Sequence, residues 1–490
     1  MRRQGTWLSI GTALPNKGGI DQSPAGWRLV HVDAKGEVTS EKRASGVEGS
    51  LELVAATRSR LAVNAYRSKG RTLGVDYIVS RNGQELARGS MRRRTDWAWE
   101  ADVPNLPKAA RVTLTARFAD GQARATSDVA DERIAASVNV GGNLFWCPPI
   151  ASGDIVYAGI DDEGGTGNSG VVAYAADLSR ELWRFKSVNV VRNAIACTAD
   201  TLFAQDLEGN LSALDAKTGA VRWQKRLSYG NGVGLSALCQ GLAAQDGVVY
   251  AGEGRSLTAI RADGTVLWSN GGYGPGEGQN GALAVGGGVV IGGCNWNGLY
   301  GNDQANGKLL WSLKSAPWRF RAATARIVGA QTYAVAQKTV AILETKTGKI
   351  VRQRDLPSKT KSGLGPMDVA TTPLVTDRLV IFGTVGHGLV ALDRETLEDV
   401  WTVPVGTALA YTPEYLSAPM SIVSVAPVMA GGEIWFGASD GAVRAVDPAT
   451  GKVVYRHALG APILSAAAVG RGLVYVADYG GNLTAFKQKS

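Results

Sequence analysis

From residue 171 onward, apolar and polar residues alternate in short runs, and the runs recur. In Val248 to Gly252, Leu257 to Ala262 and Thr265 to Trp268, branched and aromatic residues alternate with small or polar ones and turn residues separate the runs. That pattern predicts a hairpin followed by a third strand. Ala282 to Gly288 reads as the inner strand that opens a unit, so each unit holds four strands. The units share a phrase, clearest as LSALDAKTGAVRW (Leu211 to Trp223), with degenerate copies from Val171, Leu257, Leu299, Val340, Leu389 and Val443 and a truncated one from Leu483. The phrase ends at Trp183, Trp223, Trp268, Trp311, Arg352, Trp401 and Tyr455, spacings of 40, 45, 43, 41, 49 and 54 residues. A period in that range, made of short strands, predicts propeller blades.

The chemistry of the phrase suits that geometry. Asp215 can accept hydrogen bonds from turn amides, Gly219 supplies a positive φ, and Trp223, like Trp183, Trp268, Trp311 and Trp401, offers a flat surface to a neighbouring blade. The last copy stops before its outer strand could form, and an open ring would leave sticky backbone edges. Ala136 to Gly142, which resembles Lys186 to Val191, is expected to supply the missing strand. The count is then eight blades, or seven if the weak copy at Val340 is not a repeat. Ahead of the ring, residues 45–130 hold six strand-like runs with hairpin signals at Asn82-Gly83 and Asp120-Gly121, as in a small immunoglobulin- or fibronectin-like β-sandwich. The reading is therefore an all-β chain in three parts: orphan strands over 1–36, a sandwich over 45–130 and a propeller over 134–490.

Composition narrows the chemistry. The net charge of +9 is uneven, because residues 1–140 hold 22 basic and 15 acidic side chains and the propeller is nearly neutral. The run Arg92 to Arg94 lacks interleaved aromatics, so it reads as a solvated or edge-protecting cluster and a nucleic-acid partner is not expected. Cys147, Cys197, Cys239 and Cys294 have no CxxC spacing, and no apolar stretch is long enough to cross a bilayer. The start MRRQGTWLSIGT has no continuous hydrophobic core of a signal peptide.

The repeat resembles the pyrroloquinoline-quinone-type propeller repeat of quinoprotein dehydrogenases and of the outer-membrane assembly lipoprotein BamB, over roughly residues 136–490. Trp7 to Asp33 resembles the closing strands of a calcineurin-like metallophosphoesterase, matching at Gly18, Gly19, Ile20, Asp21, Ser23, Pro24, Gly26 and Arg28. The first resemblance implies a quinone site with an adjacent-cysteine pair and a calcium loop. Neither is present: no two cysteines adjoin, and the acidic loop Asp161 to Gly170 lacks ligand spacing. The second implies a binuclear metal centre, yet the chain has only His31, His387 and His457, none in a DxH, GNH or GHxH setting. No catalytic residue, metal ligand or cofactor is therefore expected. Either the catalytic domain of such a phosphoesterase lies ahead of Met1, or only its accessory parts remain, and residues 1–36 are expected to pack poorly.

What remains is a binding surface. In a propeller, the turns between second and third strands share a face with the loops between blades. On that face the sequence places Trp296, His387 and Tyr479 in turns and Tyr273, Trp318, Arg319, Tyr411 and Tyr415 in loops, aromatic and arginine side chains suited to anchor a partner. For each residue the competing reading is ordinary packing. The expectation is a monomeric, non-catalytic module that presents this face to a protein or cell-envelope glycan; a further alternative, implied by the resemblance, is an envelope assembly scaffold like BamB. The resemblance implies an extracytoplasmic location.

Overall fold

The alternating runs form antiparallel strands throughout, because each run has one set of side chains to bury and turn residues at both ends. A computed structural model describes residues 2–4, 7–9, 24, 26–36, 38–57, 59–129, 131–163, 167–206, 209–227, 241–253, 256–271, 283–294, 298–318, 324–360, 371–410 and 420–489. Among them there is no helix.

Between residues 134 and 487, eight four-stranded antiparallel sheets follow one another. The first is Ile150–Ser152, Ile155–Ile160, Gly170–Ala175 and Glu181–Lys186, and the next six repeat the same order of strands along the chain. The eighth differs. Ala468–Gly470, Leu473–Ala477 and Asn482–Lys487 come from the end of the chain, and its outer strand, Ile134–Asn139, comes from far earlier, with Asn139 opposite Asn482 and Val138 opposite Leu483. First strands of successive sheets lie side by side from the first sheet to the sixth, from the seventh to the eighth, and from the eighth back to the first. An apolar cluster that includes Leu379, Ile381, Ile434 and Trp435 joins the sixth and seventh. The result is an all-β, propeller-like fold.

A recurring interlock holds sheet to sheet. Trp183 donates from Nε1 to the Ala216 carbonyl of the next sheet at 3.1 Å, and Trp223, Trp268, Trp311 and Trp401 do the same to Ala262, Gln304, Thr345 and Pro448 at 2.8–3.1 Å. Each indole also lies on the glycine of the neighbour's outer turn: Gly219, Gly264, Gly307, Gly348 and Gly451, all at positive φ. A Cβ on Gly307 would sit 2.4 Å from Cε3 of Trp268. In the first and sixth sheets the left-handed turn residue is Leu178 or Leu397, and there the preceding outer strand carries no Trp. Both leucines are buried, filling the room an indole would take. Asp215 ties its own turn, accepting from the Lys217 and Thr218 amides and from Arg222, and these bonds hold its carboxyl well below the usual carboxylate range.

The front of the chain makes two facing four-stranded sheets. One contains Ser50–Ala56, Arg60–Tyr66, Ala98–Asp102 and Arg92–Arg93, and the other Gly121–Asp128, Arg111–Phe118, Thr72–Arg81 and Gln84–Ser90. Leu61, Val63 and Trp99 of the first meet Val75, Val112, Leu114 and Phe118 of the second in one core. Arg92–Arg93 is the edge strand of its sheet, and the arginine run is neutralised locally: Arg92 and Arg94 pair with Glu100, and Arg93 with Asp96. Gly26–Val32 and Val38–Ala44 form a separate two-stranded ribbon that runs across residue 36. Trp27, Val30 and Val32 on it are 40%, 47% and 65% exposed, so this ribbon buries little apolar surface.

This sandwich is docked on the ring. Asn64 donates to the Leu459 carbonyl and to Asp478, Ser50 to the Gly460 carbonyl, and Thr95 to the Gly480 carbonyl. Asp478 is fully buried by this contact. Burial pushes its carboxyl up to about 6, against the pull of hydrogen bonds from Asn482, Asn64 and the Gly480 amide.

Two outcomes test this packing. Gly307→Ala is expected to lower stability by about 2–4 kcal/mol, through positive φ and contact with Trp268, as read from denaturant midpoints. In a Trp268→Ala background the same change should cost clearly less, because the obstructing ring is gone. The raised carboxyl of Asp478 binds a proton more readily in the folded than in the unfolded state. Its contribution is thus fully present below about pH 4 and lost as pH rises through about 6. Relative to Asp478→Asn, the wild type should lose up to about 3 kcal/mol between pH 4 and pH 7. Identical pH slopes for the two proteins would disprove this assignment.

Candidate functional site

Because strands alternate in direction, the turns between second and third strands and the loops between sheets emerge on one face of the ring. The sandwich sits on that face, over the first, seventh and eighth sheets. Tyr479, one of the expected anchors, is buried beneath it and only 2% exposed. Its ring meets Trp97 edge-on at 5.9 Å and Phe145 at 5.6 Å, and Trp97 stacks flat on Tyr66 at 3.9 Å. Tyr66 and Trp97 come from the sandwich, so Tyr479 serves the internal contact.

Beside it lies a buried charged cluster. The Tyr479 hydroxyl donates to Glu163, which also receives Lys42 Nζ at 2.7 Å and faces Arg192 at 3.7 Å. Arg192 donates from Nε to Asp161 at 2.5 Å, and its guanidinium lies 4.3 Å from the Phe145 ring. Burial pushes the Asp161 carboxyl up to about 6 against the pull of Arg192, with Glu163 adding to the rise. Burial likewise drives the Tyr479 hydroxyl upward. Two cations thus face two carboxylates, and the cluster holds the 26–44 ribbon to the ring through Lys42. It presents neither a nucleophile with a base nor a set of ligands, and among the described residues no three His, Cys, Asp or Glu side chains converge as they would around a metal ion.

The other expected anchors fall elsewhere. Trp318 is 2% exposed and packs with Val289, Leu299, Trp311 and Ala334. His387 is half-buried, its Nε2 2.8 Å from the Pro357 carbonyl oxygen. Trp296, Tyr273, Arg319, Tyr411 and Tyr415 lie outside the described residues. Sequence reasoning passed over Asn64, Tyr66, Trp97, Glu163 and Arg192. One signal was available: the spacing Asp206–Asn210 recurs as Asp478–Asn482, and in both the asparagine bonds back to the aspartate across the turn.

A concave surface lies between the third and fourth sheets, toward the opposite face. A groove of about 510 Å³ runs between their outer strands, Val266–Asn270 and Leu309–Leu313. Tyr250, Leu267 and Leu310 supply apolar walls, with Asp303, Gln304 and Lys346 at its margin. Leu267 and Leu310 remain 38% and 44% exposed. Gln304 donates to the Tyr250 hydroxyl at 3.1 Å and so fixes that wall. A second hollow of about 440 Å³, lined by Tyr300, Asn270, Lys308 and Leu309, lies between the same two sheets. A few fixed polar groups around an apolar floor suit recognition of a partner better than chemistry.

Known proteins agree with this architecture. The curated relative BamB, an outer membrane protein assembly factor of Burkholderia pseudomallei (strain K96243), is 26% identical over 185 residues, 35% of this chain and 45% of the relative. The matched segment thus spans less than half of that relative's length. Among solved structures, BamB from Moraxella catarrhalis aligns over 73% of this chain and 97% of its own, with TM-score 0.53 and 19% identity. The computationally designed Ika8 protein aligns over 72% of this chain and 99% of its own, with TM-score 0.55 and 15% identity. The quinohemoprotein alcohol dehydrogenase ADHIIG of Pseudomonas putida HK5 aligns over 72% and 76%, with TM-score 0.53 and 15% identity. At such identities these likenesses speak for the fold alone. The family profile described as outer membrane protein assembly factor BamB matches residues 167–403 and 387–490, more than half of the sequence, and the chain belongs to that family.

Proposed function

We propose that this chain is a non-catalytic scaffold of the cell envelope: an eight-bladed propeller over residues 134–490 carrying an immunoglobulin-like sandwich over 45–130. Each four-stranded sheet of the ring is one blade. The protein works outside the cytoplasm and holds a polypeptide partner, as the family's description as an assembly factor suggests. The observation that carries this reading is the groove between the third and fourth sheets, where Leu267 and Leu310 form an accessible apolar wall backed by the buried Tyr250. Elsewhere on the ring Arg222 pairs with Asp215 of its own sheet, and Arg354 with Asp399 of the next.

The ribbon supports a second reading. Its two strands have no further sheet neighbours among the described residues, and Trp27 and Val30 stand exposed from it. Such strands suit the edge of a larger sheet, as expected if the chain is the accessory portion of a metal-dependent phosphoesterase.

Two measurements test the first reading. Incubated with a generic phosphodiester and Mn²⁺, the chain is expected to give no turnover above buffer, and metal-dependent hydrolysis would refute the non-catalytic proposal. A photo-crosslinker placed at Leu310 in cells that export the chain is expected to yield a discrete polypeptide adduct, lost on Leu267→Asp. A crosslinker at Arg124, on the sandwich's outer edge, should give none. A glycan adduct, or none at all, would count against a polypeptide partner in the groove.

A further inference from the structure

The ring is closed by hydrogen bonds between its first and last strands, without a covalent joint. Such a seam is where a propeller should open first, because the closing strand is the one outer strand not joined by a short turn to the strand it pairs with. Here both ends of the seam are built into contacts with the sandwich.

At one end a chain of buried amides crosses three parts of the molecule. Asn64, on the sandwich strand Arg60–Tyr66, donates to Asp478 at 2.8 Å and to the Leu459 carbonyl at 2.8 Å. Its Oδ1 accepts from Asn482 Nδ2 at 3.1 Å. Asn482, on the last strand, also donates to Asp478 at 2.9 Å, and its Oδ1 accepts from Asn139 of the closing strand at 2.9 Å. Asn139 in turn donates to the Gly480 carbonyl and accepts from the Gly141 amide. All four side chains are buried. Flipping any amide would set donor against donor, so the network has one self-consistent arrangement. Thr95 donates to the same Gly480 carbonyl, and Arg94 reaches the Asn139 carbonyl.

At the other end, the closing strand Ile134–Asn139 is the next strand in the sequence after the sandwich's last, Gly121–Asp128. Asp131 accepts from the Tyr455 hydroxyl at 2.6 Å and lies 3.3 Å from His457 Nδ1, while His457 Nε2 is 2.9 Å from the Val54 carbonyl oxygen of the sandwich. Arg133 grips Glu433 of the seventh sheet with two hydrogen bonds, and its guanidinium lies over Trp435 and Tyr455. The Arg133 carbonyl accepts from the Lys487 amide at 2.7 Å.

We propose that the sandwich is the latch of the propeller, so that the seam between Ile134–Asn139 and Asn482–Lys487 opens only when the sandwich undocks. Parting the two strands breaks Asn139 from Asn482. Once Asn482 moves, Asn64 and Asp478 keep buried polar atoms with no partner, a state avoided only if water enters the sandwich interface at the same time. Seam and interface therefore share one opening event, and the ring's weakest joint acquires the stability of the domain contact.

Hydrogen exchange of the full chain, read by mass spectrometry, tests this directly. In the wild type, residues 134–139 and 482–487 should exchange as slowly as Thr339–Glu344 in the fifth sheet. In Asn64→Ala, exchange should rise at least tenfold at 134–139, 482–487 and 60–66 together, with 339–344 changed by less than twofold. Tyr455→Phe, which removes one hydroxyl from Asp131 and keeps the ring, should give a smaller rise of about threefold confined to the same segments. The idea fails if the seam already exchanges much faster than the fifth sheet in the wild type. It fails equally if either variant frees residues 60–66 while the seam keeps its protection.

Discussion

The structure depends on one repeated contact: the indole of one sheet laid on the glycine of the next. A four-stranded sheet cannot bury both of its faces alone, and a stack of sheets is stable only if neighbours approach closely enough to exclude water. The indole supplies area and a single Nε1 donor, and the facing carbonyl satisfies that donor. The glycine is required twice over, by its left-handed backbone and by the absence of room for a Cβ. Leu178 and Leu397 mark two of the three junctions where the indole is missing; at the third, between the seventh and eighth sheets, the outer strand carries Tyr455. At the two leucine junctions the turn accepts the backbone strain of a non-glycine residue, and a leucine side chain fills the gap.

A ring of this kind has an ordinary interior and an unusual point of closure. Seven sheets are each made from one continuous stretch, whereas the eighth draws its outer strand from the segment that follows the sandwich. The polar residues cluster accordingly. Buried asparagines, aspartates and arginines are concentrated around the first, seventh and eighth sheets, where Asn64, Asn139, Asp161, Glu163, Arg192, Asp478 and Asn482 gather. Sheets three to five rely chiefly on aliphatic and aromatic packing. Buried polar networks of this sort specify one arrangement among many that a purely apolar interface would tolerate, which suits a joint that must join the right strand to the right edge.

The sandwich changes which parts of the ring are available to partners. By covering the mouth of one face near the first, seventh and eighth sheets, it takes Tyr479 out of reach and turns it into an internal contact. The groove between the third and fourth sheets is left open on the far side of the ring. The groove and the domain contact thus occupy separate regions, and substitutions in the one need not disturb the other.

The strands, their period and their grouping in fours were legible from alternation alone, because every sheet must present one set of side chains to each neighbour. The roles of Asp215 and Gly219 were equally local, since a turn's hydrogen bonds and φ angles depend on residues within a few positions of each other. The pairing of each tryptophan with the turn glycine of the following repeat was written in the sequence too, visible in the places where both are lost together. Tyr479 could not be sorted between ligand anchor and packing residue, because its surroundings come from Tyr66 and Trp97, hundreds of residues away and in a different domain. The groove was equally hidden, as it exists only between two outer strands whose curvature and separation no single repeat encodes. Periodicity and turn chemistry are short-range and belong to the sequence, whereas concavity, occlusion and the shared burial of Asn64 with Asp478 arise only once distant segments are brought together.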